Sequence, residues 1–344
     1  MKCFATVTAG DGMENIMISS VITRDTKKED WPAIRCAIKS RILETFGASP
    51  VELAPQKNEY EELERYVANG FEHIRIRYHI FDDEWGYGLL ILPNDLGERK
   101  CAKAVLTIHG TNGTIGKYGV CDVEGTPRRA YAIELAARGF ITFSPDQYGF
   151  GEAMEDEAYK KSFENFYDRY PNWSLSSRRV LGHIRALDVL DQLEYVCHDG
   201  YGVIGNSLGG QASFYIAAFD ERIKAAVIST GISPNVTNVY RDLTRTQPLE
   251  LGVTSYIKEH GTTPWELNEM LSLCAPRAVL CLEPFNDPYN PYTSVTIDCI
   301  KSAWEVYGLL ETPDRLSMYV HGDGHDTVDT VRAFAYDWLA RFLK

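Results

Sequence analysis

The chain has 344 residues, 44% of them hydrophobic, enough for one large α/β domain with an extension and too many for intrinsic disorder. Its net charge of −13 speaks against a nucleic-acid or anionic-membrane partner. No apolar run is long enough to cross a bilayer.

The start, Met1-Lys2-Cys3-Phe4-Ala5-Thr6, lacks the apolar stretch of a secretory signal. Ile34, Ile38, Ile42 and Leu43 recur at helical spacing between Trp31 and Phe46, with Gly47 as the stop. Asn58 to Asn69 reads as a second helix, ended by Gly70. Residues 1–70 are therefore expected to form an N-terminal helical extension packed on the sheet of a larger domain, 71–344. That domain opens on the alternating strand His73 to Ile80, paired as a hairpin with Gly86 to Leu92. Buried strands follow at Ala104 to Ile108, Phe140 to Phe143, Gly202 to Ile204, Ala225 to Ser229, Ala278 to Leu282 and Leu316 to Val320. Helices alternate with them, at Ala130 to Arg138, Val180 to Tyr195, Val295 to Tyr307 and Val328 to Leu343. This rhythm predicts an α/β fold with a mostly parallel central sheet and helices on both faces. Two long connections, about 152–178 and 232–273, break the rhythm at the carboxyl ends of strands, where open α/β sheets bind ligands; they read as cap insertions. The first is rich in aromatics and leaves the sheet next to Tyr148 and Phe150; these two, with Phe166 and Trp173 inside it, are the candidate substrate-binding residues. The eight cysteines form no Cys-x-x-Cys pair. Several, such as Cys197 and Cys281, lie in apolar runs and read as buried thiols of a reducing, cytoplasmic compartment.

The segment Gly202-Val203-Ile204-Gly205-Asn206-Ser207-Leu208-Gly209-Gly210 carries the chemistry. A short apolar strand runs into Gly-x-Ser-x-Gly and then into a helix, the order that a nucleophile elbow requires. The hydroxyl of Ser207 would project clear of the sheet, and the N–H of Leu208 at the helix N-terminus could face a developing oxyanion. A second donor is expected from the loop His109-Gly110-Thr111-Asn112, at the N–H of Thr111 or Asn112, with His109 orienting the loop. Serine needs a base, and the base needs an orienting acid. His260, His321 and His325 follow Ser207; His325, on the loop between the last strand and last helix, fits the base best. Asp287 sits between prolines after the Ala278 strand and is the candidate acid, ahead of Glu283. No ligand cluster suggests a metal, and no cofactor is expected.

Strand-His109-Gly110, Ser144-Pro145-Asp146-Gln147-Tyr148-Gly149-Phe150-Gly151-Glu152, Trp173-Ser174-Leu175, Arg185-Ala186-Leu187-Asp188, Ala275-Pro276-Arg277 and Gly324-His325-Asp326 together resemble the α/β-hydrolases of the dienelactone-hydrolase and acetyl xylan esterase-like groups. The resemblance covers about residues 71–344, and the helix from Trp31 resembles the N-terminal extension of the esterase-like members. It implies the α/β-hydrolase fold and an ester hydrolase with nucleophile Ser207, acid Asp287 and base His325. Dienelactone hydrolases proper usually carry a cysteine nucleophile, so the serine here departs from them. The expectation is a cofactor-independent serine hydrolase of a small-molecule, short-acyl (acetyl-type) carboxylic ester. An amide or carbon–carbon bond hydrolase on the same triad, and a non-catalytic binding protein on this scaffold, are the alternatives. Self-association is left open.

Overall fold

A computed structural model describes residues 16–122, 124, 127–155, 159–239 and 251–343. Among the described residues nine strands form one sheet: β1 (Tyr60–Ala68), β2 (Phe71–Phe81), β3 (Glu84–Leu92), β4 (Ala104–Ile108), β5 (Ile141–Pro145), β6 (Tyr201–Asn206), β7 (Ile223–Ser229), β8 (Ala278–Pro284) and β9 (Leu316–His321). Their spatial order is β1-β2-β3-β5-β4-β6-β7-β8-β9. The pairings β1–β2, β2–β3 and β3–β5 are antiparallel, and all those from β5 to β9 are parallel.

The helices are α1 (Trp31–Phe46), α2 (Tyr131–Ala136), α3 (Tyr159–Arg169), α4 (Leu175–Leu190), α5 (Leu208–Phe219), α6 (Leu251–His260), α7 (Leu267–Ser272), α8 (Thr293–Leu309) and α9 (Asp329–Phe342). Successive strand residues point to opposite faces, and both faces are covered. On β7 and β8, Ala226, Ile228, Val279 and Cys281 join the core built with α4, α5 and α8, whereas Ala225, Val227, Ala278, Leu280 and Leu282 join the core built with α2 and α9. Two-sided burial is why these strands read as continuous apolar runs.

The sequence expectation fails at Asn58 to Asn69. That stretch is the edge strand β1, not a helix. Glu, Leu and Arg favour a helix in isolation, but Asn69 and Gly70 both take left-handed backbone angles, φ 51° and 78°. Asn-Gly at such a turn specifies a tight hairpin, and β1 folds back on β2 from Ala68 opposite Phe71. Its charges are paired: Arg65 with Glu62 along the strand and with Glu72 across it, and Glu61 with Arg77 of β2. Charge on an edge strand also blocks pairing with another chain. The first 70 residues are thus part helix and part sheet.

The helix α1 forms as expected. Phe46 lies against Tyr215 and Phe219 of α5, and Trp265 Nε1 donates to Thr45 Oγ1 at 3.0 Å. It therefore rests on α5 and on the second insertion rather than directly on the sheet. That insertion contains α6 and α7; its residues 240–250, like 156–158 of the first and the start Met1–Thr6, lie outside the described residues. A second correction concerns the thiols. Cys101 and Cys197 form a disulfide beside the bridge Ala102–Val196, while Cys36, Cys121, Cys274, Cys281 and Cys299 are free. Spacing cannot reveal this pair, because its members are brought together only when β4 and β6 become neighbours.

Candidate active site

Ser207 sits between β6 and α5 with φ 60° and ψ −123°, a conformation that costs about 1–3 kcal/mol for a non-glycine residue. The surroundings enforce it. A Cβ on Gly205 would lie 2.3 Å from Gly209 O, and one on Gly209 would lie 2.1 Å from Ile108 O, so the turn closes only with glycine at both flanks. The Ser207 N–H donates to Ser229 O at 2.9 Å and to Thr230 Oγ1 at 3.1 Å. Thr230 is itself left-handed, φ 48°, an outlier for a β-branched residue. Its Oγ1 also accepts from Asn206 Nδ2 at 2.6 Å, and its N–H donates to Leu282 O at 2.9 Å. Two strained residues thus lock each other across β6 and β7. Sequence reasoning missed Thr230; no motif marks it.

Two strands further along the sheet, the loop after β8 carries Asp287, and the loop after β9 carries His325. The His325 Nδ1–H donates to Asp287 Oδ2 at 2.8 Å, and Asp287 Oδ1 accepts the Tyr289 N–H at 2.7 Å. Burial alone would raise the Asp287 pKa. The bond from His325 and the backbone N–H groups of Tyr289 and Asn290 outweigh it and hold the carboxyl below its usual range. The ring of Tyr289 meets that of His325 edge-on, centroids 4.6 Å apart. Among the described residues no hydrogen bond joins the Ser207 hydroxyl to the His325 ring.

The competing groups lie elsewhere. Glu283 is fully buried at the end of β8, its Oε1 has no hydrogen-bond partner, and burial together with neighbouring Asp287 pushes its carboxyl well above the ordinary range. His321 Nδ1 accepts the Asp323 N–H at 3.4 Å, its Nε2 is unpartnered, and burial lowers its pKa. His260 stacks on Tyr256 on the exposed side of α6. Among the described residues no three His, Cys, Asp or Glu side chains are grouped to hold a metal.

The loop after β4 abuts the elbow: a Cβ on Gly110 would lie 3.1 Å from Asn206 O and 3.6 Å from Ser207 Cβ. The N–H of Leu208 is the first of α5 and has no partner within the helix. The Asn112 side chain caps the next turn, donating to Gly116 O at 2.8 Å and accepting from Gly116 N at 3.1 Å. His109 is buried; its Nδ1–H donates to Gly110 O at 2.7 Å and its Nε2 accepts the Gln147 N–H at 3.1 Å. Both nitrogens are used by the neutral ring, and burial lowers its pKa accordingly. His109 thus orients the loop.

Of the four aromatics expected to touch substrate, three are buried in packing contacts instead. Phe166 and Trp173 are buried in the main core, packed with Phe81 and Tyr170 at centroid separations of 5.4–6.1 Å. Their physical role is to staple α3 and the start of α4 to β2. Phe150 is also buried, against His109 and Phe163. Tyr148 lines a cavity between the β2–β3 hairpin and α4, whose walls include none of Ser207, Asp287 and His325.

Residues 119–252 match the Dienelactone hydrolase family. Putative hydrolase YtaP of Bacillus subtilis (strain 168) is 27% identical over 219 residues, 62% of this chain and 69% of that one. The glucuronoyl esterase from Solibacter usitatus superposes with a TM-score of 0.72 at 18% identity, over 92% of this chain and 94% of its own. A putative acetyl xylan esterase from Bacteroides fragilis NCTC 9343 superposes at 0.66 and 18% identity, over 87% and 78%.

Proposed function

We propose that this chain, whose residues 119–252 match the dienelactone hydrolase family and whose fold is similar to that of α/β-hydrolase esterases, is a serine carboxylic-ester hydrolase working through an acyl-enzyme on Ser207, His325 and Asp287. The observation that supports this most is the Asp287–His325 pair, carried by loops at the same sheet edge as a serine held on a strained elbow. With Nδ1–H committed to Asp287, the free Nε2 of His325 is the base. It takes the Ser207 proton as the oxygen attacks the ester carbonyl. The oxyanion is met by the N–H of Leu208 and that of Thr111 or Asn112. His325 returns the proton to the departing alcohol oxygen, and water, deprotonated the same way, releases the acid. In a site without substrate, the contact between nucleophile and base is often open and closes in the complex. Acetyl-type acyl groups are the favoured substrates, in keeping with the described likeness to an acetyl xylan esterase.

Labelling by a fluorophosphonate and a panel of aryl esters of increasing acyl length test this reading together. Ser207→Ala should abolish labelling and cost about 10⁶ in kcat. Retention of a tenth of the wild-type rate would remove Ser207 from the mechanism.

A further inference from the structure

The cavity between the β2–β3 hairpin and α4 holds a buried cation that no carboxylate among the described residues neutralises. Arg179 on α4 is 4% exposed. Its Nη2 donates to Tyr148 O at 3.3 Å, while Nε and Nη1 have no hydrogen-bond partner. The rings of Phe150 and Phe163 lie 5.4 and 5.1 Å from the guanidinium carbon. The other charges of the wall are answered: Arg178 by Glu84 at 2.7 Å, Arg169 by Glu155, and Asp146 and Glu152 by Lys117 at 2.7 and 2.5 Å. Asp83 is exposed on the hairpin turn. No carboxylate pairs with Arg179 among the described residues. Burial accordingly pulls its pKa down to about 9, with Arg178 adding to the pull and no carboxylate offsetting it.

Two more orphaned polar atoms belong to the same wall. His183 Nδ1, one turn along α4, and Gln147 Oε1, after β5, both lack partners. Burial keeps the His183 ring neutral, its pKa lowered to about 3. A buried charge left unpaired is strongly unfavourable, and a guanidinium matches a carboxylate in geometry as well as charge. The acids around the cavity disfavour a ligand with more than one negative charge. The lone acceptor at Gln147 Oε1 asks for a donor on the ligand.

We propose that this cavity is a binding site for a small, singly charged hydroxycarboxylate, with Arg179 as its counter-ion and Gln147 Oε1 receiving its hydroxyl. The site is separate from Ser207, so the proposal stands or falls independently of the ester-hydrolase reading.

Sodium glycolate is the probe, measured by calorimetric titration and by melting against sodium chloride of equal ionic strength. Glycolate should bind saturably and raise Tm by a few degrees. Sodium acetate, which lacks the hydroxyl, should bind more weakly; equal affinity would overturn the part assigned to Gln147. Arg179→Met keeps an apolar stem of similar length and removes the charge. It should weaken glycolate at least about tenfold. Without ligand, this variant should melt no lower than wild type, because an unpaired buried charge has gone. A fall of many degrees would make Arg179 a structural element and overturn the proposal. So would glycolate behaving like chloride, or binding unchanged in Arg179→Met.

Discussion

Replacing Asp287 with Asn separates an orienting acid from a mere neighbour. The carboxylate receives the His325 Nδ1–H at 2.8 Å and is itself held ionised by backbone N–H groups. Asn fills the same space. With its amide nitrogen toward the ring it donates to Nδ1, which moves the ring proton to Nε2, the atom that must receive the Ser207 proton. With its oxygen toward the ring it keeps the tautomer but offers no charge to the imidazolium. The expected loss in kcat is ~10⁴-fold, about 5 kcal/mol of transition-state stabilisation. Glu283→Gln is the internal control. Glu283 is buried and its carboxyl is pushed well above the ordinary range, which favours its neutral form; Gln has the shape of that form, and kcat should change less than about tenfold. Steady-state kinetics on one aryl acetate, with circular dichroism to verify folding, reads both. A large loss in Glu283→Gln and a small one in Asp287→Asn would refute the assignment and make Glu283 the acid.

Glu283 also predicts a pH dependence of stability. Its folded pKa is raised, so the native state holds a proton that the unfolded chain releases above the ordinary carboxylate range; stability falls as pH rises from there toward the folded value. Glu283→Gln should therefore gain Tm relative to wild type at about pH 8 and gain little at about pH 4; an equal shift at both would show that folding leaves the carboxyl's pKa unchanged. Phe166→Ala should destabilise by about 3–5 kcal/mol, a fall in Tm of roughly 5 °C for a chain this long, and leave the ratio of kcat/KM between two esters unchanged. A shifted ratio with an unchanged melt would return Phe166 to the substrate site.

The elbow was legible because it is local: strand, Gly-x-Ser-x-Gly and helix are contiguous, and each glycine is dictated by backbone within a few ångströms. Asp287 and His325 were legible from chain order after successive strands, although only the folded loops show that they meet. The aromatic insertion is legible as an interruption of the strand–helix rhythm, but not the side to which its rings turn. Helical spacing does not say which way an inserted helix faces, and Phe166 and Trp173 turn inward. At β1, the strand's own residues favour a helix and Gly70 reads as its stop, whereas the Asn69-Gly70 turn, whose chemistry decides there, specifies a hairpin. Arg179 and Thr230 carried no signal. What distinguishes them is a missing partner in one case and a backbone angle in the other, both properties of the folded state.

The Cys101–Cys197 bond closes a covalent ring of chain that contains β4, β5, α2, α3, α4, the His109–Asn112 loop and part of the cavity around Arg179. One end of the ring enters β4 and the other enters β6, which are adjacent in the sheet. A single protease cut anywhere inside that ring, including the first insertion, would leave two polypeptides joined by the bond as well as by the sheet. A cut at the exposed start of α3 would therefore not shed the His109–Asn112 loop from the strand that precedes Ser207, and release of a fragment would require reduction as well as cleavage.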